Sequence, residues 1–176
     1  MEGASFSLIV KDVHNGETVF AYDTLRQLTP ASVMKTVTTA TALEILGEDY
    51  RFPTTLAYDG SIEKGLLKGN LYIKGSGDPS LGSAHFAPYH KRFLQEWISA
   101  LKKVGIHKIQ GAVIADESIF DTEGTSFKWV GEDMGSYYGA GSYGLCVFDN
   151  LYKLGLQTGA PGSRPKLKGT EPELSG

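Results

Sequence analysis

The chain has 176 residues, 17 basic and 20 acidic side chains, a formal net charge of −3 and a hydrophobic share of 41%. That length holds one good core or two small ones, and the mild negative charge carries no footprint for nucleic acid or an anionic membrane surface. No apolar run approaches the ~18 residues of a membrane span. Cys146 is the lone cysteine, so it has no intrachain disulfide partner, and its neighbours Leu145 and Val147 predict a buried structural thiol.

In chain order, residues 5–13 alternate apolar and polar side chains, Asn15-Gly16 is a hairpin signal, and residues 17–22 return as a second strand. A helix is expected from Pro30 to Leu46. Thr29 is positioned to cap it, Pro30 suits its first turn, and Gly47 suits its end. Lys35 and Glu44 are its only charged residues, and a helix apolar all round is normally buried. After Gly47 the texture changes. Short strands are expected at 54–58, 66–74 and 109–115, with turns at Asp59-Gly60 and 75–82. Residues 88–104 read as an amphipathic helix with Phe93, Trp97, Ile98, Leu101 and Val104 on one face, ended by Gly105. Residues 151–157 read as a further strand, and the Gly/Pro-rich stretch 158–176 as loosely ordered.

The strongest chemical feature is Ser32 three residues before Lys35. Positions i and i+3 share a helix face, so the ammonium can meet the hydroxyl. Desolvation on a buried helix favours a neutral lysine able to take the serine proton, and the helix N-terminus favours negative charge forming there. Ser-x-x-Lys occurs four times in the chain. Ser61/Lys64 lies in a turn, Ser99/Lys102 on a solvated helix face, and Ser163/Lys166 is interrupted by Pro165. Only Ser32/Lys35 combines a first helical turn with a core-like helix. The residues alone leave two readings open, an activated nucleophile or a lysine snorkelling from a core helix.

Other constellations are weaker. His14, His85, His90 and His107 show no spacing that suits a metal-binding helix, so no metal site is expected. Gly75-Ser76-Gly77-Asp78-Pro79 lacks the ending of a phosphate loop and reads as a turn. Asp116, Glu117, Asp121 and Glu123 cluster near Phe120, a pattern usual for a solvated loop. Residues 139–144, with Tyr137, Tyr138 and Tyr143, read as a tight loop whose tyrosines pack on the second half of the chain, or as an aromatic binding surface.

The run from Leu28 to Lys35, with its Thr/Ala-rich helix and Leu46-Gly47, resembles the penicillin-recognising serine enzymes. It is most similar to D-alanyl-D-alanine carboxypeptidases of the low-molecular-mass class C type. Arg51-Phe52, residues 67–73, Gly77-Asp78-Pro79-Ser80-Leu81, residues 111–120, residues 129–138 and Asp149-Asn150 resemble further segments of that family in the same order. The Gly-Asp-Pro stretch separates this group from the class A β-lactamases. The resemblance implies an α+β fold. Residues 1–51 would be the start of a β-lactamase/transpeptidase-like domain, an antiparallel hairpin plus a buried nucleophile helix. Residues 52–176 would be part of an inserted mixed α/β domain.

The implied activity is that of a serine D,D-carboxypeptidase, with D,D-endopeptidase activity a possible addition, on peptidoglycan stem peptides ending in D-Ala-D-Ala. Ser32 would be the nucleophile and Lys35 the general base, with no metal or organic cofactor. β-Lactam antibiotics would act as acylating inhibitors. Asp116 and Phe120 would help hold the charged end of the stem peptide's diamino-acid side chain. The family's Ser-x-Asn and Lys-Thr-Gly motifs are absent from these residues, so the chain is expected to be an incomplete, inactive N-terminal piece. The competing expectation is a non-catalytic cell-wall peptide-binding or structural fragment. The resemblance also implies an extracytoplasmic location, although no signal peptide is visible in the chain.

Overall fold

A computed structural model describes residues 3–86, 92–121 and 123–174. The chain divides into two compact units, Met1–Tyr50 and Arg51–Gly176.

The first unit opens with a hairpin of β1 (Leu8–Lys11) and β2 (Thr18–Tyr22), antiparallel, with Leu8 opposite Tyr22 and a bulge after Val10. The Asp12 N–H donates to the Glu17 carbonyl at 2.9 Å, and the Asn15 side chain accepts the Glu17 N–H at 2.8 Å. Phe6 stacks on Tyr22 with ring centroids 4.7 Å apart. A 3-10 turn over Ala31–Val33 then leads into helix α1 (Met34–Leu46). Gly47, at φ +80, closes α1 as expected and donates its N–H to the Leu43 carbonyl at 3.0 Å.

The start and the burial of α1 both differ from expectation. Thr29 does not cap it, because Ala31 at φ +46 breaks the helical path and the α-helix begins only at Met34. No residue of α1 is buried; Val37 is 60% exposed and Ile45 74%. Burying a helix that is apolar on every side requires elements around all of it. Within its unit α1 has one two-stranded ladder and its own leading turn.

Among its described residues the second unit holds two three-stranded sheets and a hairpin. Its strands are β3 (Thr55–Tyr58), β4 (Ser61–Glu63), β5 (Leu66–Lys68), β6 (Leu71–Lys74), β7 (Lys108–Ile109), β8 (Val113–Asp116), β9 (Lys153–Gln157) and β10 (Lys166–Glu171). In one sheet β6 lies between antiparallel β3 and parallel β8; in the other β5 lies between antiparallel β4 and parallel β7. Each of the long strands expected at 66–74 and 109–115 is thus two strands in two sheets. They cross side by side: the Gln110 N–H donates to Leu67 and the Gly111 N–H to Gly69, at 2.9 and 3.1 Å. The Asn70 side chain secures the crossing by accepting the Ala112 N–H at 2.9 Å.

The core of this unit is Leu67, which is 0% exposed, with Leu71 and Ile106, and Ile62, Leu101 and Ile109 packed against them. Helix α2 (Phe93–Lys103) buries Phe93 edge-on against Trp97 and Phe148, at 4.9 and 5.7 Å. Residues 88–91 of the expected helix lie outside the described residues, as does His90. Ile98 and Val104, expected on its inward face, are exposed. The stretch 158–176 is more ordered than its composition suggests, because β10 pairs antiparallel with β9 across a bulge. Among the described residues no helix is long and apolar enough to cross a membrane.

Candidate active site

Ser32 lies in the middle of the 3-10 turn and Lys35 in the first turn of α1. Their side chains meet as the spacing predicts: the Lys35 Nζ donates to the Ser32 Oγ at 3.1 Å. Both residues are exposed, so the burial expected to desolvate the lysine is absent from this unit. Sequence reasoning missed Ala31, whose φ of +46 immediately precedes Ser32. A left-handed conformation costs a non-glycine residue roughly 1–2 kcal/mol. The strain sits at the joint that turns Ser32 toward Lys35.

Asp116 and Phe120 belong to the second unit, Asp116 at the end of β8 and Phe120 in the turn that follows it. The Asp116 Oδ1 accepts the Ser118 hydroxyl at 2.6 Å and the Ser118 N–H at 3.1 Å. These bonds, the hydroxyl first and the N–H second, hold the Asp116 carboxyl below the usual carboxylate range against the opposing effect of desolvation, and the nearby Lys74 charge adds a lesser lowering. Lys74 ends β6, directly opposite in the parallel register, with its Nζ 3.5 Å from Asp116 Oδ2. Nothing in the sequence pairs these two residues; only the β6–β8 register does.

Phe120 follows in the turn closed by its N–H on the Glu117 carbonyl, 3.2 Å away. Its ring lies over Gly77, which adopts φ +84; a Cβ there would sit 2.7 and 3.0 Å from the ring Cζ and Cε2. Gly77 is held in turn by its N–H on the Gly144 carbonyl at 2.8 Å. Only glycine satisfies both the conformation and the close approach. The 75–79 segment, expected as a turn, is the floor beneath Phe120.

The tyrosine-rich loop differs from its structural reading. Tyr137 is 76% exposed and Tyr138 is also exposed, the two meeting edge-on at 5.0 Å, whereas Tyr143 packs on Gly124 and Gly141. Cys146 is free and half-buried rather than buried, its sulfur bonded to the backbone of Tyr143. Phe148, Asp149 and Asn150 form a left-handed turn with φ of 55, 58 and 56. Asn150 braces the turn by donating its amide to the Gly141 carbonyl at 3.1 Å. Beside it a cavity of about 500 Å3 is lined by Tyr137, Phe148, Asp149, Tyr152, Lys153 and Glu171 among others.

A serine hydroxyl within hydrogen-bond reach of a lysine amine is one arrangement in which a nucleophile lies beside a base. The pattern defining the D-Ala-D-Ala carboxypeptidase 3 (S13) family matches residues 1–173. The chain is 33% identical over 147 residues to a D-alanyl-D-alanine carboxypeptidase of Actinomadura sp., covering 84% of this chain and 26% of that protein. It is 29% identical over 133 residues to D-alanyl-D-alanine carboxypeptidase DacB of Haemophilus influenzae, covering 76% of this chain and 26% of that protein. Among solved structures it is similar to penicillin binding protein 4 (dacB) of H. influenzae, with a TM-score of 0.74 and 28% identity. That match covers 90% of this chain and 34% of that one. The same protein complexed with a novel β-lactam matches with a TM-score of 0.67 and 26% identity over 95% of this chain and 32% of that one. The chain belongs to the D-Ala-D-Ala carboxypeptidase 3 (S13) family. It spans about a quarter of the length of these curated relatives, 26% in each case.

Proposed function

We propose that these residues are part of a serine-type D,D-carboxypeptidase that acts in the cell envelope, outside the cytoplasm, on peptidoglycan stem peptides ending in D-Ala-D-Ala. The first unit is the start of the transpeptidase-like catalytic domain, and the second belongs to a domain inserted into it. Ser32 Oγ attacks the carbonyl of the penultimate D-alanine while Lys35 acts as general base and takes the hydroxyl proton. The C–N bond breaks as the proton taken up by Lys35 passes to the departing nitrogen, the terminal D-alanine leaves with a free amino group, and water hydrolyses the acyl-enzyme to restore the Ser32 hydroxyl. The Ser32 N–H is one oxyanion donor, a contribution of about 2.7–4 kcal/mol in comparable sites. Asp116 and Phe120 receive the charged end of the diamino-acid side chain. A β-lactam acylates Ser32 in place of the peptide.

The observation that carries this reading is the 3.1 Å approach of Lys35 Nζ to Ser32 Oγ in a chain of this family. A fluorescent penicillin tests it. In a longer chain that adds a Ser-x-Asn and a Lys-Thr-Gly motif, the label should be covalent, stoichiometric and lost on Ser32→Ala. Label persisting in Ser32→Ala would remove Ser32 as the nucleophile. The 176-residue chain alone should take no label, because it carries neither of those motifs.

A further inference from the structure

The Asp116 carboxylate has one oxygen engaged and one facing a cation of the same chain. Oδ1 accepts both bonds from Ser118, while Oδ2 faces Lys74 Nζ at 3.5 Å. The Asp116 side chain is 23% exposed and that of Lys74 53%. The carboxylate is the sheltered partner, held through Oδ1 by Ser118, and the Asp116 main chain is fixed separately by the Gly75 N–H on its backbone carbonyl at 2.9 Å. The ammonium is the solvated partner, on a flexible four-carbon stem that can swing away. No hydrogen bond in the described structure ties Lys74 Nζ to another side chain.

We propose that Lys74 is a specificity-determining residue of the stem-peptide site, an internal cation that competes with the substrate's own ammonium for Asp116. The inference rests on the assignment of Asp116 to the charged end of the diamino-acid side chain. A peptide whose side chain ends in a free ammonium must displace Lys74 from Oδ2 or share the oxygen with it. A peptide whose side-chain amine is acylated makes no such demand. Lys74 therefore narrows the enzyme's preference for a charged over a neutralised side chain. An exposed ion pair of this kind sets a difference of about two- to five-fold, one that shrinks as salt screens both contacts.

The experiment uses the full-length enzyme and two peptides ending in D-Ala-D-Ala, one with a free lysine side chain and one with that amine acetylated. Lys74→Met should lower KM for the free-amine peptide by about two- to five-fold. It should leave KM for the acetylated peptide and kcat for both near wild type. Lys74→Arg should restore the wild-type KM. An unchanged KM, an equal fall with both peptides, or a rise in KM for the free-amine peptide would overturn the proposal, the last by making Lys74 a substrate ligand. Asp116→Asn separates the two levels of inference. If it raises KM for the free-amine peptide while Lys74→Met changes nothing, only the role of Lys74 fails. If it leaves both KM values unchanged, the assignment of Asp116 fails and that of Lys74 with it.

Discussion

The carboxylate of Asp59 accepts both the backbone N–H and the side-chain amide of Asn70, at 2.6 and 3.0 Å. Tyr72 adds its hydroxyl at 2.8 Å. The bond from the Asn70 N–H, then that from Tyr72, then that from the Asn70 amide hold the Asp59 carboxyl below its ordinary value of 3.8. A depressed carboxyl stabilises the fold above the unfolded value and loses that contribution as pH falls through the folded value. Asp59→Asn should therefore lower the melting temperature at pH 7, and the gap to wild type should close below pH 3.8. Tyr72, raised above 10.0 chiefly by its bond to Asp59, predicts a second loss as pH rises past 10 through its folded value. Thermal unfolding followed by circular dichroism across pH checks both arms; a gap independent of pH would sink the account.

Leu67 is fully buried at the junction of both sheets. Leu67→Ala removes its packing and leaves a cavity, at a cost of about 2–5 kcal/mol. Urea unfolding should show the midpoint fall with the slope unchanged. A loss below about 1 kcal/mol would mean that this core collapses around the gap.

Ala31 can be tested from both sides. Ala31→Gly removes the left-handed penalty of roughly 1–2 kcal/mol but adds about 0.5–1 kcal/mol of unfolded-state entropy. Its net effect on stability should be small and favourable. Ala31→Val puts a β-branched side chain at φ +46, where such residues are outliers. In a chain competent for penicillin acylation, the valine variant should acylate at least tenfold more slowly and the glycine variant at close to the wild-type rate. Equal rates for all three would show that this joint does not aim Ser32.

Gly77→Ala brings a Cβ against the Phe120 ring and places alanine at φ +84. The backbone conformation alone costs roughly 1–2 kcal/mol, and the ring must move as well. Phe120→Leu should relieve the second part only. A double-mutant cycle should then give a coupling of about 0.5–3 kcal/mol, as contacting residues do. Purely additive losses would show that the contact transmits nothing.

What the sequence disclosed follows the range of the forces involved. The hairpin and α1 were legible because alternation, a turn dipeptide and a closing glycine are local signals. Ser32 and Lys35 were legible for the same reason, since i,i+3 contact needs only one turn. The burial of α1 was not, because apolar composition states a preference and not the presence of a cover. The three-residue strand β4 is too short to show a period. The splitting of 66–74 and 109–115 depends on the Asn70 side chain reaching Ala112. β10 was hidden by the Gly/Pro stretch before it and exists through its pairing with β9. Lys74 was invisible for the reason that makes it interesting: it meets Asp116 only through the parallel register of β6 and β8.

The paired crossing has a consequence for where that carboxylate points. A strand that slips by one residue turns every side chain to the opposite face. Because β5 continues into β6 beside β7 continuing into β8, the alignment of Leu66 with Lys108 dictates the alignment of Lys74 with Asp116. The orientation of Asp116 is thus inherited from a sheet to which it does not belong. A single residue inserted at 110–112 would uncouple the two ladders and rotate Asp116 away from Lys74, while Leu67 kept its place.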